Sequence, residues 1–73
     1  MDRGESFILR HDGHDYITSE DMVRTFLRHA ERAVASGRPE LVALRHTDGV
    51  DFLIVTDDTT YSTRPRRTAD VNQ

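Results

Sequence analysis

Cysteine and lysine are missing from this chain of 73 residues, and the first absence removes whole classes of protein from consideration. Without cysteine there is no disulfide framework and no thiolate zinc cluster. No apolar run is long enough to span a bilayer, and the opening Met1-Asp2-Arg3 does not begin a secretory signal, so a soluble, cytoplasmic protein is expected. A formal net charge of -3 argues against a protein that coats nucleic acid, although a local basic patch is compatible with it. All ten basic residues are Arg, a pattern that a GC-rich coding sequence also produces. A single small domain of this length buries a modest share of its surface. With disulfides and thiolate metals excluded, association with another chain is the remaining common source of stability.

Catalytic signatures are missing too. The chain has no Gly-x-Ser-x-Gly elbow and no phosphate-cradling glycine loop. Asp57-Asp58 reads as a solvated turn rather than an acid/base pair. No catalytic residue, metal site or cofactor is therefore assigned, and the chain is read as a non-enzyme.

What is present is a repeated phrase. Leu9-Arg10-His11-Asp12-Gly13-His14-Asp15-Tyr16-Ile17 returns as Leu44-Arg45-His46-Thr47-Asp48-Gly49-Val50-Asp51-Phe52-Leu53. Asp-Gly between apolar runs is a strong hairpin signal, because both residues tolerate the positive φ of tight turns. The first copy predicts a hairpin with a two-residue loop that sets Arg10 across from Asp15 and Leu9 across from Tyr16. The second copy carries the extra Thr47 and predicts a three-residue loop, with Gly49 left-handed, Arg45 across from Asp51 and Leu44 across from Phe52.

Between the hairpins, Met22, Val23, Phe26, Leu27, Ala30, Ala33 and Val34 recur at three- and four-residue intervals, as on one face of an amphipathic helix. Thr18 or Ser19 can cap its start, Glu20 and Asp21 suit its positive end, and Gly37 followed by Pro39 ends it. The predicted architecture is α+β in the order ββαββ, a single domain over residues 1–56, with a flexible C-terminal tail over 57–73.

The predicted registers divide the strands into two apolar faces. Phe7, Leu9, Tyr16, Val42, Leu44, Phe52 and Ile54 lie on one. Ile8, Ile17, Leu41, Ala43, Leu53 and Val55 lie on the other. One helix covers one face only. An uncovered apolar face marks an interface, so a homodimer or another protein partner is expected through Ile8, Ile17, Leu41, Leu53 and Val55.

Two basic features bear on partners. Arg24, Arg28 and Arg32 form a stripe at four-residue spacing, suited to phosphates on a duplex or, alternatively, to ordinary ion pairs with Glu20 and Glu31. Arg64, Arg66 and Arg67 cluster around Pro65 in the tail, where they and Tyr61 are candidates for partner contact. His11 and His14 flank a turn beside two carboxylates. They are donors of suitable type for a metal, but the second hairpin puts Val50 in place of the second His, as a structural repeat would.

From Ile17 to Tyr61 the layout resembles the Phd/YefM antitoxins. The matching residues are Ser19-Glu20, the helix with Leu27 and Val34, Gly37-Arg38-Pro39, Leu41 to Arg45, Gly49, Phe52-Leu53-Ile54-Val55, Asp57-Asp58 and Tyr61. The resemblance implies a dimer that binds operator DNA through its N-terminal region and a toxin through its C-terminal segment. Three readings follow: a small dimeric antitoxin-like regulator that binds DNA through the Arg stripe; a protein-interaction module (immunity, inhibitor or assembly protein) without DNA binding; and, remotely, a metal-binding protein using His11 and His14.

Overall fold

The computed structural model describes residues 6–66. Strands β1 (Ser6–His11) and β2 (His14–Ser19) form a hairpin, helix α1 (Glu20–Ser36) follows, and β3 (Glu40–His46) and β4 (Gly49–Val55) form a second hairpin. A last strand, β5 (Tyr61–Pro65), comes back to pair with β1. The protein is α+β, with β2-β1-β5 as a three-stranded antiparallel sheet and β3-β4 as a two-stranded one.

The helix begins and ends where the sequence places its signals. Ser19 stands in extended geometry at the N-cap, and its hydroxyl accepts the Met22 N–H at 3.2 Å. Loss of such a cap costs about 1 kcal/mol. Gly37 takes the left-handed conformation, φ 71°, and its N–H reaches the Ala33 carbonyl at 2.9 Å. Val23, Phe26, Ala30 and Ala33 are buried, whereas Val34, at the edge of the apolar stripe, is 62% exposed. The helix packs most extensively on β3 and lies over parts of β1, β2 and β4. The core that results joins Leu9 of β1 to Val42, Leu44, Leu53 and Val55 of the second hairpin, with Phe26 its largest fully buried side chain.

The first hairpin has the predicted register: Arg10 faces Asp15, and Leu9 faces Tyr16. Asp12 and Gly13 both have positive φ, 49° and 86°, as a type I′ turn requires.

The second hairpin departs from its predicted register by one residue. Gly49 does have positive φ, 131°, but it pairs with His46 as the first residue of β4, leaving Thr47 and Asp48 as a two-residue loop. Leu44 therefore faces Asp51 and Arg45 faces Val50. The anticipated Arg45–Asp51 and Leu44–Phe52 pairs do not form. Because side chains alternate across a strand, this slip exchanges every β4 side chain between faces. A specific polar contact accompanies the observed register: His46 Nε2 donates to Asp51 Oδ2 at 2.8 Å, from a His side chain only 7% exposed. In the other register these two side chains would lie on opposite faces.

The C-terminal boundary also differs from expectation. Residues 57–66 are not a loose tail. After a turn in which Thr59 Oγ1 accepts the Thr56 N–H at 2.8 Å, β5 runs antiparallel to β1 from Tyr61 opposite His11 to Pro65 opposite Phe7. The Asp12 N–H to Thr60 carbonyl and Arg66 N–H to Ser6 carbonyl bonds, 3.0 and 2.9 Å, close the two ends. Tyr61 meets the Phe26 ring edge-on at 5.3 Å, which ties the strand to the core.

Candidate protein-interaction face

The slip in β4 creates the most distinctive surface of the molecule. On the inner side of the second hairpin, Val42, Leu44, Leu53 and Val55 are buried. On the outer side, Leu41 pairs with Ile54, Ala43 with Phe52 and Arg45 with Val50. All six of these side chains are exposed, Phe52 most among the large apolar ones at 68%. Thus Leu41 keeps its expected place on an uncovered face, but Leu53 and Val55 do not: both lie in the core, and Phe52 and Ile54 take their places outside. The sequence signal that finds Phe52 and Ile54 is their alternation with Leu53 and Val55; the parity is what the loop length misassigned.

The outer face of the three-stranded sheet is different in kind. Ile8 and Ile17 face each other there and are half-buried. Beside them Arg10 Nε donates to Asp15 Oδ1 at 2.8 Å. That hydrogen bond, more than the accompanying charge, holds the Asp15 carboxyl below its ordinary value, and Arg64 adds to the effect. Of the five residues expected at an interface, Ile8 and Ile17 therefore sit on one sheet, Leu41 on the other, and Leu53 and Val55 inside.

The Arg stripe is exposed along the helix, but its charges are not equally available. Arg24 is held by Glu20 at 2.8 Å, and Arg32 lies 3.6 Å from Glu40, which also takes the His29 ring at 2.9 Å. Arg28 alone of the three has no ion-pair partner among the described residues. Glu31 does not pair with it. In the C-terminal segment, Tyr61 and Arg64 belong to β5 and Arg66 follows it, anchored by its backbone; Arg67 lies outside the described residues.

The histidines are used structurally. His11 is not at a solvated turn tip: its side chain is 11% exposed and its Nε2 lies 3.1 Å from the Ile54 carbonyl, joining β1 to β4. His14 stacks at a tilt on Tyr16, ring centres 4.5 Å apart, and Tyr16 meets His46 at 4.9 Å. Burial, with Asp51 nearby, raises the Tyr16 phenol above its ordinary value. Among the described residues, no three His, Cys, Asp or Glu side chains are grouped to hold a metal.

An open groove of about 580 Å³ lies between the start of α1 and the end of β3, and places hydroxyls near His46. Those groups are committed elsewhere. Thr18 Oγ1 donates to the Arg45 carbonyl, and Ser19 Oγ caps the helix. Both His46 nitrogens are engaged, Nε2 with Asp51 and Nδ1 as acceptor for the Asp48 N–H at 3.3 Å. A ring so engaged has no nitrogen left to take a proton from a nucleophile. No described helix is long and apolar enough to cross a membrane. Comparison with family models, curated proteins and solved structures gave no match.

Proposed function

We propose that this protein is a non-catalytic protein-interaction module that works through the outer face of β3 and β4. One observation carries the reading: Leu41, Val50, Phe52 and Ile54 form an apolar surface, each more than half exposed, directly behind a closed core. Apolar side chains concentrated in this way on a small protein mark a contact surface. Their strands are held from behind by Val42, Leu44, Leu53 and Val55, so the surface is presented on a rigid support.

The antitoxin-like reading, with DNA held by Arg24, Arg28 and Arg32, stands second. The exposure of all three on one helix favours it. Against it, two of the three have acidic neighbours and the chain is net acidic, which weakens attraction to a phosphate backbone.

Site-specific photo-crosslinking in the native cell separates the two. A crosslinking amino acid at position 52 is expected to form adducts with protein, and one at position 28 to form none with nucleic acid. Nucleic-acid adducts at 28 without protein adducts at 52 would reverse the order of the readings.

A further inference from the structure

We infer that the partner of the β3-β4 outer face is a second copy of this chain, packed face to face and turned end for end. The inference rests on the interaction-module reading and names its partner. Two features of the face lead to it, its composition and its charge pattern.

The centre of the face is the Ala43–Phe52 pair, with Leu41 and Ile54 toward one end and Val50 toward the other. With the second copy turned end for end, β4 lies over β4, so Phe52 meets Phe52 and the apolar centres of the two faces coincide, as an isologous contact requires. The exposed apolar area is on the order of 400 Å² per chain, against the roughly 800 Å² per partner of a standard interface. An apolar centre of that size leaves the remainder to a polar rim, the usual anatomy of an exchanging dimer.

The rim decides the orientation. Arg45 stands on the outer face at the turn end, without an ion-pair partner among the described residues. Asp57 and Asp58, both exposed, follow β4 at the opposite end, and neither carboxylate has an ion-pair partner there. Two stacked sheets can be related by a two-fold axis along the strands or by one across them. An axis along the strands stacks turn on turn and brings the two Arg45 side chains together. An axis across them sets each Arg45 toward the Asp57-Asp58 end of the other copy, twice by symmetry. Exposed Asp48 and Arg38 stand at the same two ends, but Asp57 and Asp58 leave the far end net negative, which favours the second arrangement, and the meeting of two Arg45 side chains penalises the first.

Sedimentation equilibrium on the full chain tests this, with circular dichroism on every variant to confirm the fold. The wild-type chain is expected to dimerise with a dissociation constant in the micromolar range, as for a small exchanging interface. Phe52→Glu, and independently Ile54→Gln should the first variant not fold, are expected to weaken the dimer more than about 30-fold. Arg45→Asp is expected to weaken it about fivefold, and adding Asp57→Arg and Asp58→Arg to restore it to near the wild-type value. A wild-type monomer at about 100 µM, well above such a constant, overturns the inference. A dimer that Arg45→Asp leaves unchanged or tightens overturns the end-for-end arrangement. If the chain is monomeric while a crosslinker at position 52 still marks a different protein, the second-copy inference falls and the module reading stands. With no adduct at all, both fall.

Discussion

The two hairpins begin from nearly the same words and end with different surfaces. In the first, Asp12 and Gly13 supply the two positive φ values of the turn, and the strands pair as the letters suggest. In the second, one extra residue allows two loop lengths, and the shorter one is adopted. The consequence extends to every residue of β4: Leu53 and Val55 go in, and Phe52 and Ile54 go out. A turn is thus a local structure with a global effect, because strand periodicity converts a one-residue choice into the identity of a whole face.

Neighbouring residues on β4 should respond to truncation in opposite ways. Leu53→Ala is expected to cost about 2–5 kcal/mol of unfolding free energy, as for other buried Leu truncations. Phe52→Ala, measured at concentrations too low for association, is expected to stay within about 0.5 kcal/mol of wild type. Urea unfolding of both variants checks this, and a reversed order would place the wrong residues in the core.

The glycines of the two turns also differ in what they tolerate. A Cβ at Gly13 or Gly49 meets nothing within 4 Å, so any cost is one of backbone conformation alone. Gly13, φ 86°, lies near the left-handed region, where Ala costs about 1–2 kcal/mol and Asn less. Gly49, φ 131°, lies beyond it, and Gly49→Ala is expected to cost about 2–3 kcal/mol with little relief from Asn. Thermal or urea unfolding of the four variants reads the difference.

The smallest effect concerns the cross-strand pair that only the first hairpin keeps. Asp15 is expected to titrate below its ordinary 3.8, chiefly because Arg10 donates a hydrogen bond to it. With a folded-state value below the unfolded one, the pair contributes stability above that ordinary value. The contribution is lost as the pH falls through the depressed one. Both side chains are exposed, so the consequence for unfolding is slight. NMR titration of the Asp15 carboxyl should show Arg10→Ala returning it toward 3.8, while Arg45→Ala leaves it in place.

Much of this was legible in the sequence, for identifiable reasons. The helix declares itself through Ser19, its apolar spacing and Gly37, all local signals that act within a turn or two. The first hairpin declares its register because Asp12-Gly13 fits one turn type well. The second register depends on contacts distant in sequence, among them the Thr47 N–H to Ile17 carbonyl bond, and loop composition alone does not contain them. Strand β5 escaped notice because Tyr61-Ser62-Thr63-Arg64-Pro65 lacks an alternating apolar pattern: it is an edge strand, stabilised by the ladder with β1 and by Tyr61 against Phe26. Its Tyr and Thr favour strands and its Pro is tolerated at an edge, a signal that exists but is weak. The apolar spacing does imply a surface left uncovered by a single helix, but a loop length misjudged by one residue puts Leu53 and Val55 there in place of Phe52 and Ile54.

The most direct test of the account is the register of β3 on β4, read from cross-strand NMR contacts between backbone Hα and amide protons. The observed register predicts contacts linking Leu41 with Ile54, Ala43 with Phe52 and Leu44 with Asp51, which keep Phe52 outside. Contacts linking Val42 with Ile54 and Leu44 with Phe52 would put Phe52 in the core and contradict it.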